Sequence, residues 1–461
     1  MKKEWSQGNG TLYKKLLGAT LVAVAALLTA TLAACGGSST ASYTVGGTVI
    51  GLPYTGLSGN ALILQSNSAN DLSITANGTF TFTSAVANGS SYSIAIKTAP
   101  TSPALACTVA SGGTGTISGA NVSNVAVDCT THARFAYVTN SGGAGSVSAY
   151  TIDKATGALT AVGSPLVVGT NPSSVAVDPS GKFAYVSILG TTTIMPYAID
   201  QTTGAITAVL TGVTSTNPDN VKIHPSGKYA YVADGTSNTV VEYSISATTG
   251  ALTLVGSPVS TGTTTTTAYS LAIDTAGKFL YVANAASSNI SVFSINQTDG
   301  TLTSIQTPLS VSGTLKEIAI DPFGKFAYAV NSNNVTMYKI TSGILTSNGS
   351  VTPGGSPVSV AVSPNGKFAY VVDTTNNLVY IYAIDSSTGA LTASTTQTSV
   401  TTGTNPTEIA IDPSGYFAYV TNSNAASVSM YSINQTSGDL TVVGTGPIAA
   451  GATPKYVTTT R

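Results

Sequence analysis

The chain has 461 residues and carries 17 Lys or Arg against 18 Asp or Glu, a net charge of −1. That balance excludes a partner recruited by charge, such as nucleic acid, whose phosphates demand a basic surface. Hydrophobic residues make up 42%, and Gly, Ser, Thr, Asn, Val and Ala dominate the sequence. This excludes a disordered chain and favours strands joined by tight turns over helices.

The first element is a targeting segment. Lys2, Lys3, Lys14 and Lys15 lead into an unbroken run of apolar and small residues from Leu16 to Ala34, long enough by itself to cross a membrane. Its end, Leu32-Ala33-Ala34-Cys35-Gly36, resembles the lipobox of bacterial lipoproteins. The resemblance implies removal of residues 1–34 as a signal peptide and lipidation of Cys35, with 35–42 as a short flexible tether. A residue other than Asp after the cysteine, here Gly36, implies sorting to the outer membrane. The expected location is therefore the bacterial cell envelope, with the membrane as a partner through the lipid anchor. Cys107 and Cys129 remain, and an oxidising compartment joins them most simply as a disulfide.

Residues 43–131 show alternating runs at Tyr43–Leu52, Ala61–Gln65, Thr79–Thr83, Tyr92–Lys97 and Val122–Cys129, split by Gly, Asn and Ser turns. This predicts a small antiparallel β-sandwich stapled by Cys107 and Cys129. It resembles the Ig-like modules that precede propellers in many bacterial surface lipoproteins. The Gly-rich stretch Ser111–Gly115 precedes no helical pattern and is not read as a phosphate loop.

Residues 132–461 are built from a repeat. An apolar strand, Asp-Pro-Ser-Gly and Lys-Phe-Ala-Tyr-Val recur, as in Val175–Val186 and Ile409–Val420. Strand A of each unit is predicted at 173–178, 219–223, 269–274, 316–321, 358–362, 407–412 and 455–460. Strand B begins at Phe135, Phe183, Tyr229, Phe279, Phe326, Phe368 and Phe417. Strand C ends in an aromatic-x-Ile signature such as Tyr150–Ile152, and strand D follows a Thr-Gly turn such as Thr156-Gly157. Units of 42 to 50 residues made of short strands predict an all-β, seven-bladed β-propeller. The repeat begins at strand B and ends at strand A, so the last strand should complete the first blade and close the ring.

The repeated polar residues have local explanations. Asp caps the A–B turn, Pro sets φ, and Gly accepts a positive φ. The Lys that follows puts a cation on that face in most blades, which those same Asp residues largely cancel, so the turn is read as solvated. The Asp153–Gly157 type of turn lacks the carboxylate density calcium needs, so no metal and no cofactor is expected.

Tyr137-Val138-Thr139-Asn140 and Tyr419–Asn422 resemble the YVTN-type repeats of prokaryotic surface proteins. The longer unit, over roughly 134–461, resembles the seven-bladed lactonase family that includes a 6-phosphogluconolactonase. The resemblance implies a site of His, Glu and Arg at the channel mouth, in the D–A and B–C loops. The chain departs from this. Its two histidines are His132, before the first propeller strand, and His224, in an A–B turn on the opposite face. Its two arginines are Arg134, of the A–B turn class, and the terminal Arg461.

The residues that can still form a site stand at the start of strand A: Ser174, Asn220, Ser270, Glu317, Ser359, Glu408 and Tyr456, with Asp219 and Lys316 beside them. Glu317 and Glu408 are the candidate catalytic pair if the chain is an enzyme, a lactonase-type hydrolase. Glu242, on strand C, reads as an exposed substitution. The polar B–C loops favour instead a binding module for an envelope protein or glycan, and that is the function expected from the sequence.

Overall fold

The computed structural model describes residues 41–460 except 51, 53–60, 76–77, 100–106, 130–133, 210 and 263–267. The signal segment, Cys35, His132 and Arg461 lie outside the described residues. Strands dominate, and among the described residues the helical content is one 3-10 turn at Leu189–Thr191.

The N-terminal module holds two four-stranded sheets. One runs Gly78–Thr81, Val45–Ile50, Val122–Asp128, Thr108–Ser111, and the other Asn70–Ile74, Leu62–Ser66, Ser91–Thr98, Thr114–Thr116. Alternation sends Leu62, Leu64, Tyr92, Ile94, Val125 and Val127 into one core. Val45–Ile50 and Val122–Asp128 pair in parallel, so the expected all-antiparallel arrangement is corrected at this pair. Alternation reports which face a side chain takes but not strand direction, and the rest of the module supplies the long connection a parallel pair needs. Cys107 and Cys129 form a disulfide just beyond the paired Thr108 and Asp128. Closing that loop stabilises the module by about 3 kcal/mol on the chain-entropy argument.

Seven sheets follow, each ordered A-B-C-D. Blade 1 combines strand A from Pro454–Thr459 with strands B, C and D at Phe135–Asn140, Ser146–Ile152 and Leu159–Ala161. The strands A of blades 2 to 7 are Pro172–Val177, Pro218–Ile223, Ala268–Ile273, Leu315–Ile320, Pro357–Val362 and Pro406–Ile411. They stand side by side around the axis, and the C-terminal strand packs between those of blades 7 and 2. Val457 pairs with Val138, and the Thr460 hydroxyl accepts from the amides of Arg134 and Phe135. The ring therefore closes through its last strand, as expected.

The Phe-Ala-Tyr-Val phrase builds the joints between blades. The first aromatic of strand B packs on the glycine of the next blade's C–D turn. A Cβ on Gly389 would lie 2.3 Å from Phe326, and one on Gly157 2.2 Å from Phe417, so only glycine fits. The Tyr hydroxyl then donates to that glycine's carbonyl: Tyr137 to Gly204, Tyr185 to Gly250, Tyr231 to Gly300, Tyr328 to Gly389, Tyr370 to Gly438 and Tyr419 to Gly157. The seventh copy, Tyr281, is fully buried with no partner for its hydroxyl. Here the next blade's strands C and D are joined by a tight hairpin between Thr341 and Ile344.

The A–B turns behave as the Asp-Pro-Ser-Gly reading requires. Asp178, Asp274, Asp321 and Asp412 accept from the amides of Phe183, Phe279, Phe326 and Phe417 at 2.6 to 2.9 Å. Lys182, Lys228, Lys278, Lys325 and Lys367 on these turns are exposed.

Candidate functional site

Each strand A carries a one-residue bulge at its second position. In blade 3 Pro218 faces Asp234 and Asn220 faces Ala233, leaving Asp219 as the extra residue. The same shift sets off Ser173, Tyr269, Lys316, Val358, Thr407 and Lys455. A bulge breaks the alternation of side chains and re-aims one of them. The second and third residues of the seven strands are thereby gathered at one end of the axis.

The sequence-selected third-position residues all belong to this ring. Ser174, Asn220, Ser270 and Ser359 are buried, and Asp219, Lys316, Glu317, Glu408 and Tyr456 are half-buried. Several stitch one blade to the next. The Ser174 hydroxyl accepts from the Val221 amide at 3.4 Å, Asn220 Oδ1 from Leu271 at 3.3 Å, Glu317 Oε2 from Val360 at 2.8 Å, and the Ser359 hydroxyl from Ile409 at 3.3 Å.

Glu317 and Glu408 come from blades 5 and 7, and their carboxyls act on each other's ionisation, with the Ser359 hydroxyl of blade 6 acting on both. Burial raises both carboxyls above the usual range. Glu408 is raised further by the neighbouring Glu317, whereas the charge of Lys222 holds Glu317 back toward ionisation. Two carboxyls this close share a proton, because both cannot ionise at neutral pH.

Along with Tyr269 and Lys455, sequence reasoning missed the central member of the site, Lys222. It is the fifth residue of strand A in blade 3, and its Nζ donates to the Tyr456 hydroxyl at 2.6 Å and lies 5.3 Å from that ring's centre. Burial pulls the ammonium down, but Tyr456, Glu317 and Glu408 outweigh it and hold the pKa above the usual lysine value. The signal was present in the repeat. The equivalent positions are Ala176, Ala272, Ala319, Ala361, Ala410 and Thr458, so a charge there breaks the pattern.

Around this cluster stand Asp219, whose nearest cation is Lys455 at 3.9 Å, and Tyr269, pushed up to about 12 by burial first and then by Asp219, Glu408 and Glu317. Burial outweighs Lys455 and raises Asp219 as well. Three lysines, 222, 316 and 455, thus meet three carboxylates, 219, 317 and 408, within one ring of a chain that is 8% charged.

Two other sequence features lie elsewhere. His224 is buried in its A–B turn, with Nε2 at 2.8 Å from the Gly277 carbonyl and Nδ1 at 2.7 Å from the Ser226 hydroxyl. Glu242 is not exposed: 3% of its surface is accessible, and Oε1 accepts from the Leu302 amide of blade 4 at 2.9 Å. The expectation fails because its neighbours in the repeat, Met337 and Met430, point the same way, their sulfurs meeting the amides of Leu391 and Leu159. A cavity of about 220 Å³ lies by the A–B turns of blades 5 and 6, lined by Asp321, Phe323, Lys325 and Gly366 among others, away from the ring of carboxyls.

A model of the lactonase family of seven-bladed β-propellers matches residues 95–223, 218–362 and 358–456. The chain belongs to this lactonase family. Solved structures agree on the fold. Candidate 6-phosphogluconolactonases from Bacteroides uniformis and Bacteroides fragilis are 17% and 20% identical, with TM-scores of 0.64 and 0.63. Each covers 71% or 72% of this chain and 100% or 99% of its own. The periplasmic gluconolactonase PpgL of Pseudomonas aeruginosa is 18% identical with a TM-score of 0.58, over 71% of this chain and 99% of its own. No curated protein matches. Within this lactonase-family propeller the mouth is furnished with Glu, Lys and Tyr in place of the expected His and Arg.

Proposed function

We propose that this lactonase-family propeller opens a small, unphosphorylated lactone at the channel mouth. The observation that carries the proposal is the pairing of the Glu317 and Glu408 carboxyls beside Lys222 in the ring. A carboxyl pair sharing one proton supplies both a base for the attacking water and an acid for the leaving alkoxide. Glu317 is the base, because Lys222 and the Val360 amide favour its ionised form. Glu408 carries the proton.

Glu317 removes a proton from water as the water oxygen bonds to the lactone carbonyl carbon. The carbonyl pair moves onto oxygen, then returns as the ring C–O bond breaks, and Glu408 gives its proton to the departing alkoxide. The product acid ionises to solvent, and the proton returns from Glu317 to Glu408. Family membership and the likeness to a protein described as a gluconolactonase support the reading. The substrate is taken as unphosphorylated because an arginine fork for phosphate is absent from the described mouth residues.

The binding role expected from the B–C loops rests on composition alone, so hydrolysis is placed first. We further propose that Cys35 is lipidated and holds the protein at the cell envelope. The experiment is turnover of a panel of neutral and phosphorylated lactones by purified protein and by Glu317→Gln. Hydrolysis of a neutral lactone that this substitution abolishes supports the reading. An inactive wild type, or a variant as fast as wild type, overturns it.

A further inference from the structure

We infer that Tyr456 donates the hydrogen bond that holds the oxyanion during lactone opening, and that Lys222 is the positioning residue that polarises it. The inference rests on the hydrolase reading above. Lys222 Nζ donates to the Tyr456 oxygen at 2.6 Å. An ammonium has no lone pair and can only donate, so the phenol's own hydrogen is not used in this contact. Among the described hydrogen bonds, no acceptor takes it.

The lysine on its oxygen sets Tyr456 apart from the other tyrosines. Six donate to a glycine carbonyl of the next blade, and Tyr150 and Tyr431 donate to the carbonyls of Ala449 and Thr401. Tyr281, without a partner, is fully buried. Tyr269 of the ring also shows no acceptor among the described hydrogen bonds, but no lysine sits on its oxygen as Lys222 does on that of Tyr456. Tyr456 is half-buried at the ring position shared with Glu317 and Glu408, so its free donor stands where the reacting carbonyl would be. Burial raises its pKa, which keeps the group a phenol able to donate.

The strand itself does not require a lysine at position 222. Five copies of the repeat fill the position with alanine and one with threonine. An ammonium on the phenol oxygen draws electron density from it and strengthens the hydrogen bond its proton makes. As water attacks, the carbonyl pair moves to oxygen and the developing negative charge falls on that proton, with no proton transferred. A donor aimed at the oxyanion acts in the transition state more than on the bound substrate.

The test is steady-state kinetics of Tyr456→Phe, which keeps the ring and removes only the donor, beside Lys222→Met, Lys222→Arg and Glu317→Gln. Tyr456→Phe should lose about 10²- to 10³-fold in kcat with KM little changed. Lys222→Met should lose kcat in the same sense, and Lys222→Arg should recover most of it. If Lys222→Met does not fold, Tyr456→Phe and Lys222→Arg carry the comparison. A Tyr456→Phe protein with wild-type kcat, or with KM alone changed, while Glu317→Gln is inactive overturns this inference and leaves the hydrolase reading standing. A wild type that opens no lactone overturns both.

Discussion

Replacing Glu242 by Gln should stabilise the propeller, by an amount that grows with pH. The carboxyl is 3% exposed and holds one amide, that of Leu302. Burial pushes its pKa from 4.5 up to about 7, with the Leu302 amide pulling the other way. In the unfolded chain the group ionises near its ordinary value, whereas the folded protein keeps it protonated until higher pH. The folded state therefore bears no penalty below about pH 4.5, a growing one between 4.5 and 7, and the full one above 7. That displacement corresponds to about 3 kcal/mol at the alkaline end. Gln keeps the acceptor, and the protein already uses it so: Gln306 and Gln397 accept from the amides of Leu345 and Leu440 at 3.0 and 2.7 Å. Urea unfolding of both proteins from pH 4 to pH 9 provides the assay. The curves should meet at the acid end and diverge through neutrality. A gap that is the same at every pH would refute the reasoning.

Tyr281→Phe should leave the melting temperature unchanged or raise it, because a hydroxyl without a partner is removed. Tyr185→Phe, which loses a 3.0 Å bond to Gly250, should cost about 1 kcal/mol in the same melt. Deleting the strand Pro454–Thr459 should lower the transition of the whole propeller, since it exposes the strand B edge of blade 1, uncovers the strands A of blades 7 and 2, and removes Tyr456. A truncated protein melting with the full chain would remove the closure argument.

The ring was legible because its joints are written in every copy. Phe and Tyr of strand B need the glycine of the next C–D turn, and Asp needs the A–B turn, so the same words recur wherever the same contacts recur. Glu317, Glu408 and their neighbours were legible for the complementary reason, as charged or polar words at a position facing the axis. The bulges were not, because an extra residue in a strand is a backbone event that leaves no periodic mark beyond one shifted position. Lys222 was hidden by that shift, since its approach to the ring depends on how far each strand advances along the axis. Glu242 was misread because a charge on a strand suggests solvent, whereas its place is set by the blade packed over it. The parallel pair of the N-terminal module was beyond reach for a related reason: alternation carries no direction.

The central claim is that Glu317 and Glu408 act as base and acid on a lactone, and the pH dependence of kcat/KM for a neutral lactone tests it most directly. The account predicts a bell, its acid limb set by ionisation of the pair's first proton and its alkaline limb by loss of the second. Glu317→Gln should abolish turnover across the range. A profile that stays flat, or one that Glu317→Gln leaves unchanged, would contradict it.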